Sequence, residues 1–284
     1  MRETMRLQGV GVTLTADVAG PRDGRPILFL HGGGQTRHSW KRALEEAARR
    51  GYRAISLDLR GHGDSDWSPE GSYSLDCFAG DLRAVIRTLD VPPVIVGASM
   101  GGLTGLIVAA SPPPFVAGLV LVDVAARLEK TGTQEIGAFM TSAPEGFASL
   151  EEAADAVASY LPHRPRPKDT SGLLRNLRLR EDGRYRWHWD PAFARPSAHR
   201  AHPDPQLFEL AAASLKAPTL LVRGGLNRVV SEEGVAHFLE LAPQAEYVNV
   251  AGADHMVAGD ANDAFNAAVF DFLARHAPAG AEAD

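Results

Sequence analysis

The sequence has one cysteine, Cys77, so an internal disulfide and a thiolate metal cluster are both excluded. With no histidine or second cysteine at a motif spacing, Cys77 reads as a small buried hydrophobe. Nowhere does an apolar run approach the roughly 18 residues of a helical membrane span. The opening residues MRETMRLQGVGV scatter charges and lack an apolar stretch, so no secretory leader is expected and the cytoplasm is the expected compartment. Excess positive charge is missing too. Lys and Arg number 29 against 35 Asp and Glu, a formal charge of -6. This balance offers no electrostatic reason to expect nucleic acid or an anionic membrane as partner. Neither G-x-x-x-x-G-K-[ST] nor G-x-G-x-x-G occurs as a phosphate loop. The histidines show no metal-ligand spacing, so neither a metal nor another cofactor is expected. Internal repeats and low-complexity tracts are also absent.

What remains is an ordinary globular composition, 45% apolar and 23% charged over 284 residues, enough to bury a full-sized core. Short apolar runs alternate with helical patterns. Pro26 to Leu30, Tyr52 to Leu57, Pro93 to Val96, Gly118 to Val122, Pro218 to Val222 and Glu246 to Val250 read as strands. Most are continuously apolar, as strands covered on both faces must be. Helical patterns cover Trp40 to Arg50, Leu75 to Leu89, Gly101 to Ala110, Glu232 to Leu241 and Ala261 to His276. This alternation predicts an α/β architecture with a doubly wound, mostly parallel sheet. LQGVGVTLTADVAG, within the first 20 residues, reads as an antiparallel hairpin on the sheet edge.

The alternation breaks between residues 125 and 216, a span too long for a loop without structure of its own. SLEEAADAVASYL carries a capping box, Ser149 with Glu152, and helical spacing; PHRPRP then cannot continue a helix. GLLRNLRLR, an Asp182-Gly183 turn and YRWHWD follow. The prediction is a core from residues 1–124 and 217–276, an inserted, mainly helical cap over 125–216, and a disordered tail over 277–284.

Gly97 to Gly102 reads GASMGG between an apolar strand and a helical pattern. In that context G-x-S-x-G is the signature of a nucleophile elbow: a strained turn exposes Ser99, and Gly97 and Gly101 avoid collision two residues before and after it. The plainer reading is a strand-to-helix turn capped by Ser99. His31-Gly32-Gly33-Gly34 also follows a strand, and its glycines let backbone approach a ligand closely. Acyl transfer needs donors where an oxyanion develops, and the N–H groups of Gly33 and Met100 are the candidates.

With HGGG, DLRGHGDSD (Asp58 to Asp66), GASMGG and GADH ending at His255 in this order, the chain resembles the α/β-hydrolase superfamily, in its capped serine esterase and perhydrolase-like branch. The resemblance implies an eight-stranded sheet and a serine-hydrolase mechanism, with DLRGHGDSD as a shape motif and no catalytic role for Asp58, His62 or Asp64. His255, after the last core strand, is the best placed base. Relatives usually carry the triad acid in a G-x-x-D loop after the strand that Pro218 to Val222 resembles. Here, in Gly225-Leu226-Asn227-Arg228, that place falls to an arginine, which has no acceptor and disfavours an imidazolium. Asp123, at the end of Gly118 to Val122, is the preferred substitute. Asn227, adjacent Asp254 and no replacement at all are the alternatives.

The expected activity is cofactor-free cleavage of a carboxylic ester or lactone of a small, fairly apolar molecule. Ser99, His255 and Asp123 would be the triad. Trp40, His38, Phe139, Met140, Trp187 and Trp189 are candidate pocket residues, with Phe193 beside them; packing of the cap against the core is the plainer reading of these aromatics. His163, His188, His199 and His202 also fall in the cap. Perhydrolase and carbon–carbon bond hydrolase chemistry would keep the same serine. A ligand-binding protein that has lost turnover is the reading that Arg228 favours.

Overall fold

The computed structural model describes residues 2–162, 166, 168–195, 205–251 and 262–280. Its centre is an eight-stranded sheet in the order β1-β2-β4-β3-β5-β6-β9-β10. β1 (Glu3–Gln8) and β2 (Thr13–Ala19) form an antiparallel hairpin, and β2 pairs antiparallel with β4 (Arg53–Leu57). β3 (Pro26–Leu30), β5 (Val94–Ala98), β6 (Gly118–Val122), β9 (Thr219–Gly224) and β10 (Glu246–Val250) continue the sheet from β4 in parallel.

The continuous apolar runs have a direct cause. Successive strand side chains face opposite ways, and each face has its own core. Leu28, Leu30, Leu119 and Leu121 enter one core with Phe78 and Leu82 of α2 (Leu75–Ile86), Leu106 of α3 (Met100–Ala109) and Phe238 of α7 (Glu232–Leu241). Ile27, Phe29, Val120 and Val122 enter the other, with Leu44 of α1 (Lys41–Arg49) and Phe265, Val269 and Phe272 of α8 (Asn262–His276). A strand buried on both faces cannot alternate with polar residues.

Between β6 and β9 lie α4 (Lys130–Thr141), α5 (Leu150–Tyr160), the short antiparallel pair β7 (Leu177–Leu179) and β8 (Tyr185–Trp187), and α6 (Pro205–Ala213). Ser149 caps α5, accepting from the Glu152 N–H at 3.1 Å. Phe147, Ala153, Leu177, Trp187 and Trp189 form a separate small core. α6 does not belong to it. It packs on α3 and α7, and Phe208, Ala211, Ala212 and Leu215 join the main core. The span between β6 and β9 thus holds a β-hairpin as well as helices. The expected disordered tail is corrected for 277–280. Ala277 is buried in the core, and Arg25 donates its N–H to Ala279 O and its Nε–H to Pro278 O. Residues 281–284 lie outside the described residues. Among the described residues, no helix is long and apolar enough to cross a membrane.

The winding places the site. From β3 the chain moves first to β4 on one side and then to β5 on the other, so the connections after β3 and β5 diverge at a topological switch point. The loops leaving these two neighbouring strands are the glycine turn and the serine turn.

Candidate active site

Ser99 joins β5 to α3 with φ 47° and ψ −117°, a backbone state that non-glycine residues rarely occupy. Its N–H donates to Val122 O at 3.0 Å, tying the turn to β6, and its carbonyl accepts from Leu103 N–H. The glycines around it answer to backbone contacts. A Cβ on Gly97 would lie 2.6 Å from Gly101 C, and one on Gly101 would lie 2.5 Å from Leu30 O. Gly102, which the motif does not require, is as constrained: its Cβ would stand 2.7 Å from Gly97 O. Gly101→Ala is accordingly expected to lose about 3 kcal/mol, since a carbonyl in β3 cannot swing aside as a side chain would. Gly137→Ala in α4, where a Cβ meets nothing within 4 Å, is expected to gain about 1 kcal/mol. Urea unfolding of both checks the contrast, and equal midpoints would refute the steric account.

The glycine turn lies against Ser99, with the Cβ position of Gly32 3.3 Å from Ser99 Cβ. Its shape is held by side chains. The Gly32 carbonyl accepts from His31 Nδ1 at 2.7 Å and from the Gln35 N–H at 3.2 Å, and the Gly32 N–H donates to Gln35 Oε1. In a planar trans peptide the N–H points opposite to the C=O. Anchoring Gly32 O thus turns the Gly33 N–H away from His31 and Gln35. Among the described residues, neither the Gly33 nor the Met100 N–H donates to a protein acceptor. Met100 is also the first residue of α3, where amide dipoles favour negative charge.

Three buried histidines stand behind this turn, and backbone amides set their tautomers. Leu59 N–H donates to His31 Nε2, Gly34 N–H to His62 Nε2 at 3.1 Å, and Gly63 N–H to His188 Nδ1 at 2.7 Å. Each accepting nitrogen must be unprotonated, so each ring is neutral. Burial agrees: it lowers His31 to a pKa of about 4 and His62 to about 3, and pushes His188 well below the usual range. DLRGHGDSD makes bonds that hold the loops together. Asp58 accepts from the Arg37 N–H at 2.7 Å, the Asp64 N–H at 2.9 Å and the Arg37 guanidinium, which also reaches Asp17 and Asp64. Unforeseen from the sequence is that its His62 grips the glycine turn directly.

Asp123 follows β6 with φ 54° and is 1% exposed. Its N–H donates to Val222 O, and its Oδ1 accepts from Gly224 N–H at 2.6 Å, which seats the carboxylate over the ends of β6 and β9. Asn227 has a turn role: its Oδ1 accepts from Val229 N–H at 2.6 Å and Val230 N–H at 3.1 Å. Arg228 extends towards the insertion, where its Nη2 meets Glu135 of α4 at 2.7 Å. His255 and Asp254 lie outside the described residues, as do His163, His199 and His202.

A cavity of about 780 Å³ opens on Ser99, Gly33 and Met100. Phe139, Met140, Trp187 and Trp189 line it, with Trp187 stacked on Trp189 at 5.0 Å and Phe139 on Tyr160 at 4.2 Å. Phe193 lines it as well, and α6 adds Leu207 and Phe208. Tyr160 and Leu207 were not anticipated; their apolar helical spacing signals burial but not against what. Two expectations fail. Trp40 is 1% exposed and packs between Phe29 and Phe265 in the core on the opposite sheet face, because the turn after Gly34 folds it under β3. His38 is half-buried beside Asp17, with Nδ1 3.8 Å from Oδ2. Neither lines the cavity.

Known proteins resemble this chain over most of its length. The family model described as alpha/beta hydrolase fold matches residues 25–261. An esterase of Mycobacterium tuberculosis is 31% identical over 230 residues, covering 79% of this chain and 74% of that protein. The sn-1-specific diacylglycerol lipase ABHD11 of Mus musculus is 30% identical over 261 residues, 87% of this chain and 80% of that one. Among solved structures, E-2-(acetamidomethylene)succinate hydrolase superposes with a TM-score of 0.82 at 25% identity, over 96% of this chain and 100% of that one.

Proposed function

Because the chain belongs to the alpha/beta hydrolase fold family, we propose that it is a serine hydrolase cleaving a carboxylic ester or lactone of a small, fairly apolar molecule. The observation that carries this reading is Ser99, held at positive φ beside the glycine turn and facing an aromatic-walled cavity of about 780 Å³. Ser99 Oγ attacks the carbonyl carbon while its proton passes to His255. The carbonyl electron pair moves onto oxygen, where the Gly33 and Met100 N–H groups hold it, each donor worth about 3 kcal/mol of barrier. Collapse breaks the ester bond, and the departing alkoxide takes the proton from His255, leaving an acyl-enzyme. Water then repeats the sequence and frees the acid. Asp123 holds the His255 tautomer and steadies the imidazolium. The role of His255 rests on its position after β10 and on the motif order. Relatives named esterase and diacylglycerol lipase act on esters, in keeping with this chemistry.

A ligand-binding protein without turnover is the competing reading, favoured by Arg228 in the usual acid position. Intact mass after exposure to a fluorophosphonate separates the two. A single adduct is expected on the wild-type chain and none on Ser99→Ala. Folded wild-type protein that stays unmodified would overturn the hydrolase reading in favour of a binding protein.

A further inference from the structure

Among the described residues, His188 is the polar side chain through which the inserted segment bonds to the glycine turn. His188 follows β8, is 2% exposed, and is held by its own N–H to Asn176 O at 3.0 Å. Because its Nδ1 accepts from Gly63 N–H, its ring proton sits on Nε2, which donates to Gly34 O at 3.2 Å. The Gly34 carbonyl and the Gln35 N–H belong to one planar unit and point in opposite directions. That Gln35 N–H donates to Gly32 O at 3.2 Å, and Gly32 O shares a second planar unit, two peptides back along the chain, with the Gly33 N–H.

We propose that His188 is a positioning residue of the oxyanion hole, aiming the Gly33 N–H through two linked peptide planes. The proposal rests on Gly33 being an oxyanion donor. His31 and His62 hold the same turn from the core side, but His188 holds it from the insertion. Its neighbour Trp189 lies against the turn, 3.2 Å from the Cβ position of Gly34, and lines the cavity. Seating of the insertion and the geometry of the hole are therefore one event. A ligand that settles Trp187 and Trp189 also settles the carbonyl that His188 grips. An insertion shifted outward loses the bond to Gly34 and with it the aim of the donor.

Two variants of the full chain test this, because asparagine and glutamine each reproduce one ring nitrogen. His188→Asn keeps an acceptor near the Nδ1 position for Gly63 and has no donor for Gly34. His188→Gln reaches the Nε2 position with an N–H and gives up the acceptor for Gly63. Hydrolysis of p-nitrophenyl butyrate, the rate of fluorophosphonate labelling and the melting temperature are read for each. Asparagine is expected to lower kcat and the labelling rate by about tenfold or more, part of the 10²–10³ that deleting a donor costs, with KM nearly unchanged. Glutamine is expected to retain most of the rate. Wild-type labelling and turnover in His188→Asn would overturn the positioning role and leave Ser99 untouched. So would losses in both variants that merely follow the melting temperature. A wild-type chain that forms no adduct would remove the hydrolase reading, and this inference with it.

Discussion

Replacing Asp123 with asparagine is expected to lower kcat by about 10⁴-fold, the cost of removing the carboxylate from the proposed triad. Asp123 suits the acid role for local reasons. It ends β6, the strand beside β5, and Ser99 N–H is bonded to Val122 O, the residue just before it. Gly224 N–H and the backbone bond to Val222 fix the carboxylate within the sheet edge. Asparagine preserves an acceptor for Gly224, so the variant should fold, while its amide leaves an imidazolium without a counter-charge. Steady-state kinetics with p-nitrophenyl butyrate, beside a thermal melt, check the prediction. Turnover within tenfold of wild type in a folded Asp123→Asn protein would discard the assignment. Asn227 is a weaker candidate than the sequence suggested, since its Oδ1 already serves two loop amides.

Acidification is expected to destabilise the protein well before carboxylates matter. His31 and His62 are fully enclosed and neutral, with pKa values of about 4 and about 3 against an unfolded value near 6.5. Between those limits the unfolded chain binds more protons than the folded one, so stability falls as pH falls. Full stability is present above about pH 6.5, and the loss continues down to the folded values. At pH 5 each of these two rings should cost about 2 kcal/mol, a large share of a total that is ordinarily about 5–15 kcal/mol. His188 acts in the same direction. The groups facing these rings do not rescue them. His31 and His62 face each other, the Asp58 charge is already shared with Arg37, and Arg178 disfavours a proton on His188. Carboxylates titrate lower: Glu246, beside Arg275 and His276, is lowered to about 2, so its contribution is lost only below about pH 4.5. Urea midpoints at pH 7.5 and pH 5 measure the effect. An unchanged midpoint would mean that the three rings accept protons in place.

Much of the fold was legible because its signals are local. Strands such as Pro26–Leu30 and Gly118–Val122 appear at the expected residues, since five successive apolar residues between turn signals are too short for a helix and suit a strand covered on both faces. GASMGG was legible for a steric reason: a strand carbonyl and a helix backbone press on Gly97 and Gly101. Errors arose where the deciding contact is distant. The sequence of α6 does not reveal that it packs on α3 while lending Leu207 and Phe208 to the cavity. Trp40 looked like a pocket residue from its closeness to the glycine turn, yet Phe29 and Phe265 enclose it.

By itself, then, the sequence determined the strand-and-helix alternation, the serine turn and the glycine turn, because backbone sterics and hydrophobic period operate over a few residues. Only the tertiary structure decided that β3 and β5 lie side by side and bring the two turns together. It also decided that Arg228 pairs with Glu135 and that His188 reaches 154 residues back to Gly34. Those contacts depend on chain crossings and on the seating of the insertion, where residues far apart in the chain meet and no local periodicity carries the information.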